Sequence, residues 1–137
     1  MAENLQPLLV EMQKTNAGVQ KLVDQGNKVV IYDTCYYGQN HIKESDDLKL
    51  IKADIRDKNT FSSAIEGIDI VIHLACISND PSFALNEELS KSINYDCFED
   101  LVSISKKSGV SRFVYASSSS VYGFSEDENV TEDHPLV

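Results

Sequence analysis

The segment Arg112-Phe-Val-Tyr-Ala-Ser-Ser-Ser-Ser-Val-Tyr-Gly123 holds the densest set of groups able to do chemistry in this chain. Phe113, Val114 and Tyr115 form a short apolar run of strand-prone residues, and Ser117 to Ser120 follow at once with their hydroxyls. Open α/β sheets bind ligands outside the carboxyl ends of their strands. An apolar strand that stops in hydroxyls therefore places donors and acceptors where a ligand would lie. Taken alone, the serines read better as a polar surface turn. The rest of the chain tips the balance, because the same pattern of an apolar run ending in polar groups recurs along it.

Lys28-Val-Val-Ile-Tyr-Asp33 reads as a buried strand ending in an acid, and Leu48-Lys-Leu-Ile-Lys-Ala-Asp54 as a second. Ile68 to Ala75 is a third strand, apolar almost throughout, and Phe113 to Ala116 a fourth. Between them, Asn59 to Glu66 predicts a short helix closed by Gly67. Glu87 to Ser108 predicts a long one, with Leu89, Ile93, Cys97, Leu101 and Ile104 on one stripe and Gly109 as its stop. At the start, Leu5, Leu8, Leu9, Met12, Val19, Leu22 and Val23 recur at helical spacing, which predicts an amphipathic helix ending at Gly26. Leu8-Leu-Val10 could instead serve as a stub of strand. Strands that are apolar throughout and alternate with helices imply a parallel sheet covered on both faces, so the fold class is α/β.

Composition narrows the partners. The chain has 137 residues, 42% hydrophobic and 25% charged, as in a soluble globular domain. Its 22 acidic residues outweigh 12 basic ones, for a net charge of −10. Nucleic acid and anionic membrane both need clustered Lys and Arg, and Lys106-Lys107 is the only adjacent basic pair. Cys35, Cys76 and Cys97 are odd in number and lack metal-type spacing, which suits a reduced, cytoplasmic setting. His41, His73 and His134 lie far apart and suggest no metal cluster.

Asp33 closes a strand, where a carboxylate can accept two hydrogen bonds from an adenosine ribose and would repel the additional phosphate of NADP. A helix-capping or loop carboxylate is the plainer alternative. Asp54 and Ile55, at the end of the next strand, could hold an adenine edge. The run His73-Leu-Ala-Cys-Ile-Ser78 would pass beneath such a ligand, with His73 itself a core residue.

These residues converge on a family. Lys28 to Gly123 resembles the extended short-chain dehydrogenase/reductase superfamily, in its NAD-dependent epimerase/dehydratase branch acting on nucleotide sugars. The resemblance is carried by Val29-Val-Ile-Tyr-Asp33, Ala53-Asp-Ile-Arg-Asp57, Val71-Ile-His-Leu-Ala75, Ser92-Ile-Asn94 and Arg112 to Gly123, in order and at family spacing. It implies a Rossmann-like, doubly wound parallel sheet and NAD as cofactor. Asp33 would hold the adenosine ribose, with Asp54 and Ile55 beside the adenine. Leu74, Ala75 and Cys76 would line the cofactor, and Asn94 falls where the family has an Asn on its long helix. Ser118, four residues before Tyr122, falls at the family's catalytic Ser/Thr. Ser119 and Ser120 stand where sugar 4,6-dehydratases carry Asp and Glu, which argues against dehydration. In the family a Tyr-x-x-x-Lys pair supplies the general base, the cation lowering the tyrosine pKa. The sugar hydroxyl then passes a hydride to NAD, and the keto intermediate is reduced again.

Two departures qualify the resemblance. The family opens with a strand running into Gly-x-x-Gly-x-x-Gly, whose backbone approaches the pyrophosphate. Here only Gly18 and Gly26 precede residue 30, neither in that motif, so the sheet is expected to lack its first strand and its Gly-rich loop. Residues 1–18 read as a divergent helical segment and 19–137 as a partial NAD-binding domain. The second departure is that no tyrosine in the chain is followed by Lys at the fourth position. The expectation is a fragment of an enzyme that takes a nucleotide-sugar substrate, with little activity alone. The alternative is a non-catalytic α/β module that forms a homo-oligomer or pairs with a partner chain.

Overall fold

The computed structural model describes residues 7–11, 16–36, 38–77, 80–124 and 130–136. Five strands make one parallel sheet: β1 (Pro7–Glu11), β2 (Lys28–Asp33), β3 (Leu48–Lys52), β4 (Ile70–His73) and β5 (Arg112–Tyr115). Their order across the sheet is β3-β2-β1-β4-β5. The helices are α1 (Asn16–Asp24), α2 (Lys58–Ala64), α3 (Asp80–Leu85), α4 (Glu87–Lys91) and α5 (Phe98–Lys107). All crossovers therefore run between parallel strands, as in doubly wound α/β folds.

The expected helix across residues 5–26 is corrected here, and with it the expectation that the first strand is missing. Pro7–Glu11 is a strand, and the helix begins only at Asn16. The strand lies at the centre of the sheet, with Leu8 to Val10 paired to Val29–Ile31 on one side and to Ile70–Ile72 on the other. The physical reason is non-local. Without it, two inner strand edges would carry unpaired N–H and C=O groups, and a ladder on both sides outweighs a three-to-four spacing that suits a helix. Pro7, which has no N–H to donate, sits at the first position of the strand, where proline is tolerated.

The second difference concerns the long helix expected from Glu87 to Ser108. It runs continuously from Glu87, but as α4, a π-helical stretch at Ser92–Asp96 and α5, with Lys91, Ser92 and Cys97 at the joints all in right-handed helical backbone. Such a widened turn is common near functional sites.

The core divides by strand parity. On one face Tyr32, Ile55, Phe61, Ile65, Ile68, Val71, Cys97 and Leu101 form a cluster under α2 and α5. On the other, Val29, Ile31 and Leu48 pack against Val19 of α1. Val29 and Ile31 thus face away from Tyr32, as alternation along β2 requires. The Tyr32 ring meets Phe61 edge-on, with centroids 5.7 Å apart. Asp57 starts α2 by accepting the N–H groups of Asn59 and Thr60, each at 3.1 Å, and Gly67 ends the following turn at φ +74°.

His73, at the end of β4, is buried and ringed by Phe98, Phe113 and Tyr115, the last stacked on it at 5.6 Å. Burial pushes its pKa down to about 4. The unfolded chain binds that proton near 6.5, so the neutral-histidine core is fully stable only above that pH. Stability should fall as pH drops from 6.5 toward 4, by at most about 3 kcal/mol. Urea unfolding at a series of pH values should show this slope, and His73→Phe should remove it. An unchanged slope in the variant would exclude His73 as the titrating group.

Candidate cofactor cleft

Every strand is parallel, so every carboxyl end lies along one edge of the sheet. The strand order sets what stands beside what. Asp54 and Ile55 follow β3, Asp33 closes β2, the strand-to-helix connection follows β1, Leu74 to Cys76 follow β4, and Ser118 follows β5. Residues far apart in sequence therefore form one row across the sheet, with its switch point between β1 and β4.

Asp33 is half-buried. Its Oδ1 accepts the Cys35 N–H at 2.5 Å, and Oδ2 takes no bond among the described residues. Burial raises its pKa, opposed by the Cys35 amide and by the charge of His41. The tight turn is completed by Cys35 itself, a non-glycine residue at φ +54°. An open carboxylate oxygen beside a fixed one suits a ribose hydroxyl as donor.

Asp54 is engaged differently. Its Oδ1 accepts from the Arg56 backbone N–H and from Nε, both at 2.9 Å, while Oδ2 pairs with Nη2. These bonds hold its pKa below the usual carboxylate range, and they raise that of Arg56. Arg56 Nη1 also donates to Ser92 Oγ at 3.1 Å, tying the turn after β3 to the π-helical stretch. A shallow depression of about 370 Å³ lies beside this link, lined by Arg56, Asn86, Glu88, Leu89 and Ser92. None of the residues expected to face the cofactor lines it. Ile55 is buried in the core, so its side chain packs there and only its backbone lies at the end of the strand.

Tyr32 and Asn94 fix the loops. The Tyr32 hydroxyl donates to the Asp54 carbonyl at 3.0 Å, and the Ala53 N–H donates to the Asp33 carbonyl at 3.0 Å. Burial, with the carboxylates of Asp57 and Asp54, pushes the Tyr32 pKa up to about 12, so the phenol stays a donor. Asn94 makes a two-point clasp on Ile77, accepting its N–H at 2.8 Å and donating to its carbonyl at 2.9 Å. That clasp sets the path of Leu74 to Cys76. Leu74 packs with the α1-side cluster and Ala75 with the opposite one, while burial raises the pKa of the Cys76 thiol and keeps it protonated.

Ser118 is exposed and caps a 3-10 turn over Ser119–Tyr122, its Oγ accepting the Ser120 N–H at 3.2 Å. Its own proton has no acceptor among the described residues. A hydroxyl with one lone pair engaged and its proton available is suited to donate to a ligand oxygen.

Sequence reasoning missed two links, the Arg56 bridge and the Tyr32 hydroxyl. The Asp54-x-Arg56 spacing could have signalled the first, since a turn brings such a pair together. Nothing local signals the second, which spans 22 residues.

A parallel doubly wound sheet with this row of polar groups is a dinucleotide-binding architecture. The chain belongs to the NAD dependent epimerase/dehydratase family, whose model matches residues 16–136. It is 31% identical over 121 residues to a UDP-glucose 4-epimerase of Lactobacillus helveticus, covering 86% of this chain and 36% of that one. It is 30% identical over 122 residues to a UDP-N-acetyl-alpha-D-glucosaminuronate decarboxylase of Bacillus cytotoxicus, covering 80% of this chain and 36% of the relative. The Bordetella bronchiseptica enzyme WbmH, solved in complex with NAD+, superposes with a TM-score of 0.75 at 26% identity, over 98% of this chain and 47% of that one. The chain thus spans about a third of the length of these curated relatives. Among the described residues no helix is long and apolar enough to cross a membrane.

Replacing Asn94 by Ala would strip both backbone groups of Ile77 of their partner. The expected cost is about 1–3 kcal/mol, with faster amide exchange at residues 74–77 than in the rest of the sheet. Exchange that rises uniformly instead would mean that Asn94 supports the fold and not this loop.

Proposed function

We propose that this chain supplies the cofactor-facing part of an NAD-dependent epimerase acting on a nucleotide sugar, and has little activity alone. The observation that carries the reading is the row of groups along one sheet edge. Adjacent strands lie about 4.8 Å apart, so β3 to β5 spans roughly 19 Å, room for an extended dinucleotide. The residues present fit its adenosine half. Asp33 has an open oxygen for the ribose, and its charge would disfavour the extra phosphate of NADP. Asp54, although paired with Arg56 through three hydrogen bonds, keeps one lone-pair site on Oδ2 that would meet an adenine amino group, and the Ile55 backbone follows it in the chain.

Leu74, Ala75 and Cys76 would form the floor beneath the nicotinamide end, held in place through Asn94. A bound NAD would supply hydride acceptance, which no side chain can offer. Ser118 would hold the sugar hydroxyl by donating its free proton. The proton lost from that hydroxyl needs a base, and none of the six tyrosines here is followed by Lys at the fourth position. Turnover therefore needs groups these residues do not provide. The pyrophosphate is the weak point, because Met12-Gln-Lys-Thr15, between β1 and α1, contains no glycine. Those residues lie outside the described set. The three free thiols suit a reducing, cytoplasmic setting.

Titration calorimetry should find NAD binding weaker than about 100 µM, and NADP binding weaker still. Asp33→Ala should abolish the preference for NAD. Affinity near 1 µM, about −8.2 kcal/mol, would show that a glycine-rich phosphate loop is dispensable here. Equal affinity for both cofactors in the unmodified chain would overturn the role given to Asp33.

A further inference from the structure

Ion pairs at a protein surface ordinarily contribute little, because water screens them and both side chains must be ordered. The pair of Asp54 and Arg56, with side chains 36% and 39% exposed, is nevertheless fixed at both ends. The Ser92 hydroxyl donates to the Leu89 carbonyl at 2.7 Å, which commits its only proton. Its oxygen is left to accept from Arg56 Nη1 at 3.1 Å, so the helix braces the guanidinium from 36 residues away. At the other end the Asp54 carbonyl accepts from the Tyr32 hydroxyl and from the Asp57 N–H, each at 3.0 Å. Those two bonds pin the backbone that carries the carboxylate. Such order adds little to stability at this exposure and fixes an orientation instead.

Asp54 Oδ1 accepts twice, from the Arg56 backbone N–H and from Nε, and Oδ2 once, from Nη2. A carboxylate has about four lone-pair sites, so one is left, on Oδ2. The bonds from Arg56 hold the Asp54 pKa down and keep the group ionised, an acceptor that does not donate. The next residue supplies the opposite group, since the Ile55 N–H takes no hydrogen bond among the described residues. An acceptor and a donor thus stand on consecutive residues, and only the acceptor depends on a side chain for its direction.

We propose that Arg56 is a positioning residue that makes this end of the cleft select a purine with a 6-amino group over one with a 6-oxo group. This role rests on the reading that Asp54 and Ile55 meet the adenine of a dinucleotide. Adenine offers a donor at its amino group and an acceptor at N1, the complement of Oδ2 and the Ile55 N–H. Hypoxanthine reverses both, with an acceptor at O6 and a donor at N1. A carboxylate free to turn can meet the reversed pattern with either oxygen or through water, so discrimination depends on its being held. Arg56 holds both carboxylate oxygens at once, while Ser92 holds Arg56. Lysine does not replace it, because an ammonium is a point charge without the planar fork.

Amide shifts of the isotope-labelled chain, followed as NAD or nicotinamide hypoxanthine dinucleotide is added to millimolar concentration, give the ratio of the two affinities. The unmodified chain should favour NAD by about tenfold or more, the weight of one charged hydrogen bond. Arg56→Ala and Arg56→Lys should each bring the two affinities within about twofold of one another. Ser92→Ala, which removes only the brace, should reduce the preference with Asp54 and Arg56 both in place. A purely structural role would weaken both dinucleotides by the same factor and leave the ratio alone. Asp54→Asn, whose amide offers a donor of its own, tests the underlying reading and should erase the preference. If Asp54→Asn erases it while Arg56→Ala and Arg56→Lys keep it, the role given to Arg56 is overturned and the reading of Asp54 stands. A preference that survives Asp54→Asn would overturn both, as would an unmodified chain with no preference or with no shifts for either dinucleotide.

Discussion

A strand in the interior of a parallel sheet must satisfy its backbone along both edges, and in this chain that demand falls on Pro7–Glu11. Its pairing with β2 and β4 is what makes one sheet of two halves. Remove it, and β2-β3 and β4-β5 become separate two-stranded pairs, each with an inner edge of bare N–H and C=O groups. Everything downstream follows from the joined sheet. The carboxyl ends fall on one line, the crossovers α1, α2 and α5 cover both faces, and the two core clusters find opposite sides to fill. The energetic weight lies in groups that cannot be left unpaired away from water.

The cleft is held by backbone contacts more than by charged pairs. Tyr32 and Ala53 bind the ends of β2 and β3 together through Asp54 and Asp33 carbonyl groups. Asn94 fixes the turn after β4 through both backbone groups of Ile77. Arg56 joins these regions by reaching from Asp54 to Ser92, and its exposure means that water screens most of its Coulomb energy. Its value is positional, because a bidentate guanidinium fixes a carboxylate in one orientation. Among the described residues, Asp33 Oδ2 and the Ser118 hydroxyl proton take no partner.

Family membership and local departures sit together in one fold. The sheet topology and the run of residues 16–136 are those of the NAD dependent epimerase/dehydratase family. Yet residues 12–15, between β1 and α1 in sequence, include no glycine, and Gly18, already inside α1, has nothing within 4 Å of where a side chain would begin. No close backbone approach requires glycine there.

Much of this was legible in the sequence. Strands β2 to β5 are strand-prone runs, each found within two residues of its place, and β2 and β4, the more buried, are the more continuously apolar. Asp33, Asp54, Asn94 and Ser118 stood out because they end a strand or sit on a helix at family spacing. Only the tertiary structure decided the first strand and the π-helical stretch in the helix after β4. Leu8, Leu9 and Val10 fit a helical stripe as readily as a strand, and nothing within reach of a local pattern records two open strand edges more than 17 residues away. The clasp of Asn94 on Ile77 and the reach of Tyr32 to Asp54 are of the same kind. Sequence spacing fixes which residues can face a core or end a strand, whereas a hydrogen bond between distant segments exists only once packing has brought both partners to one place.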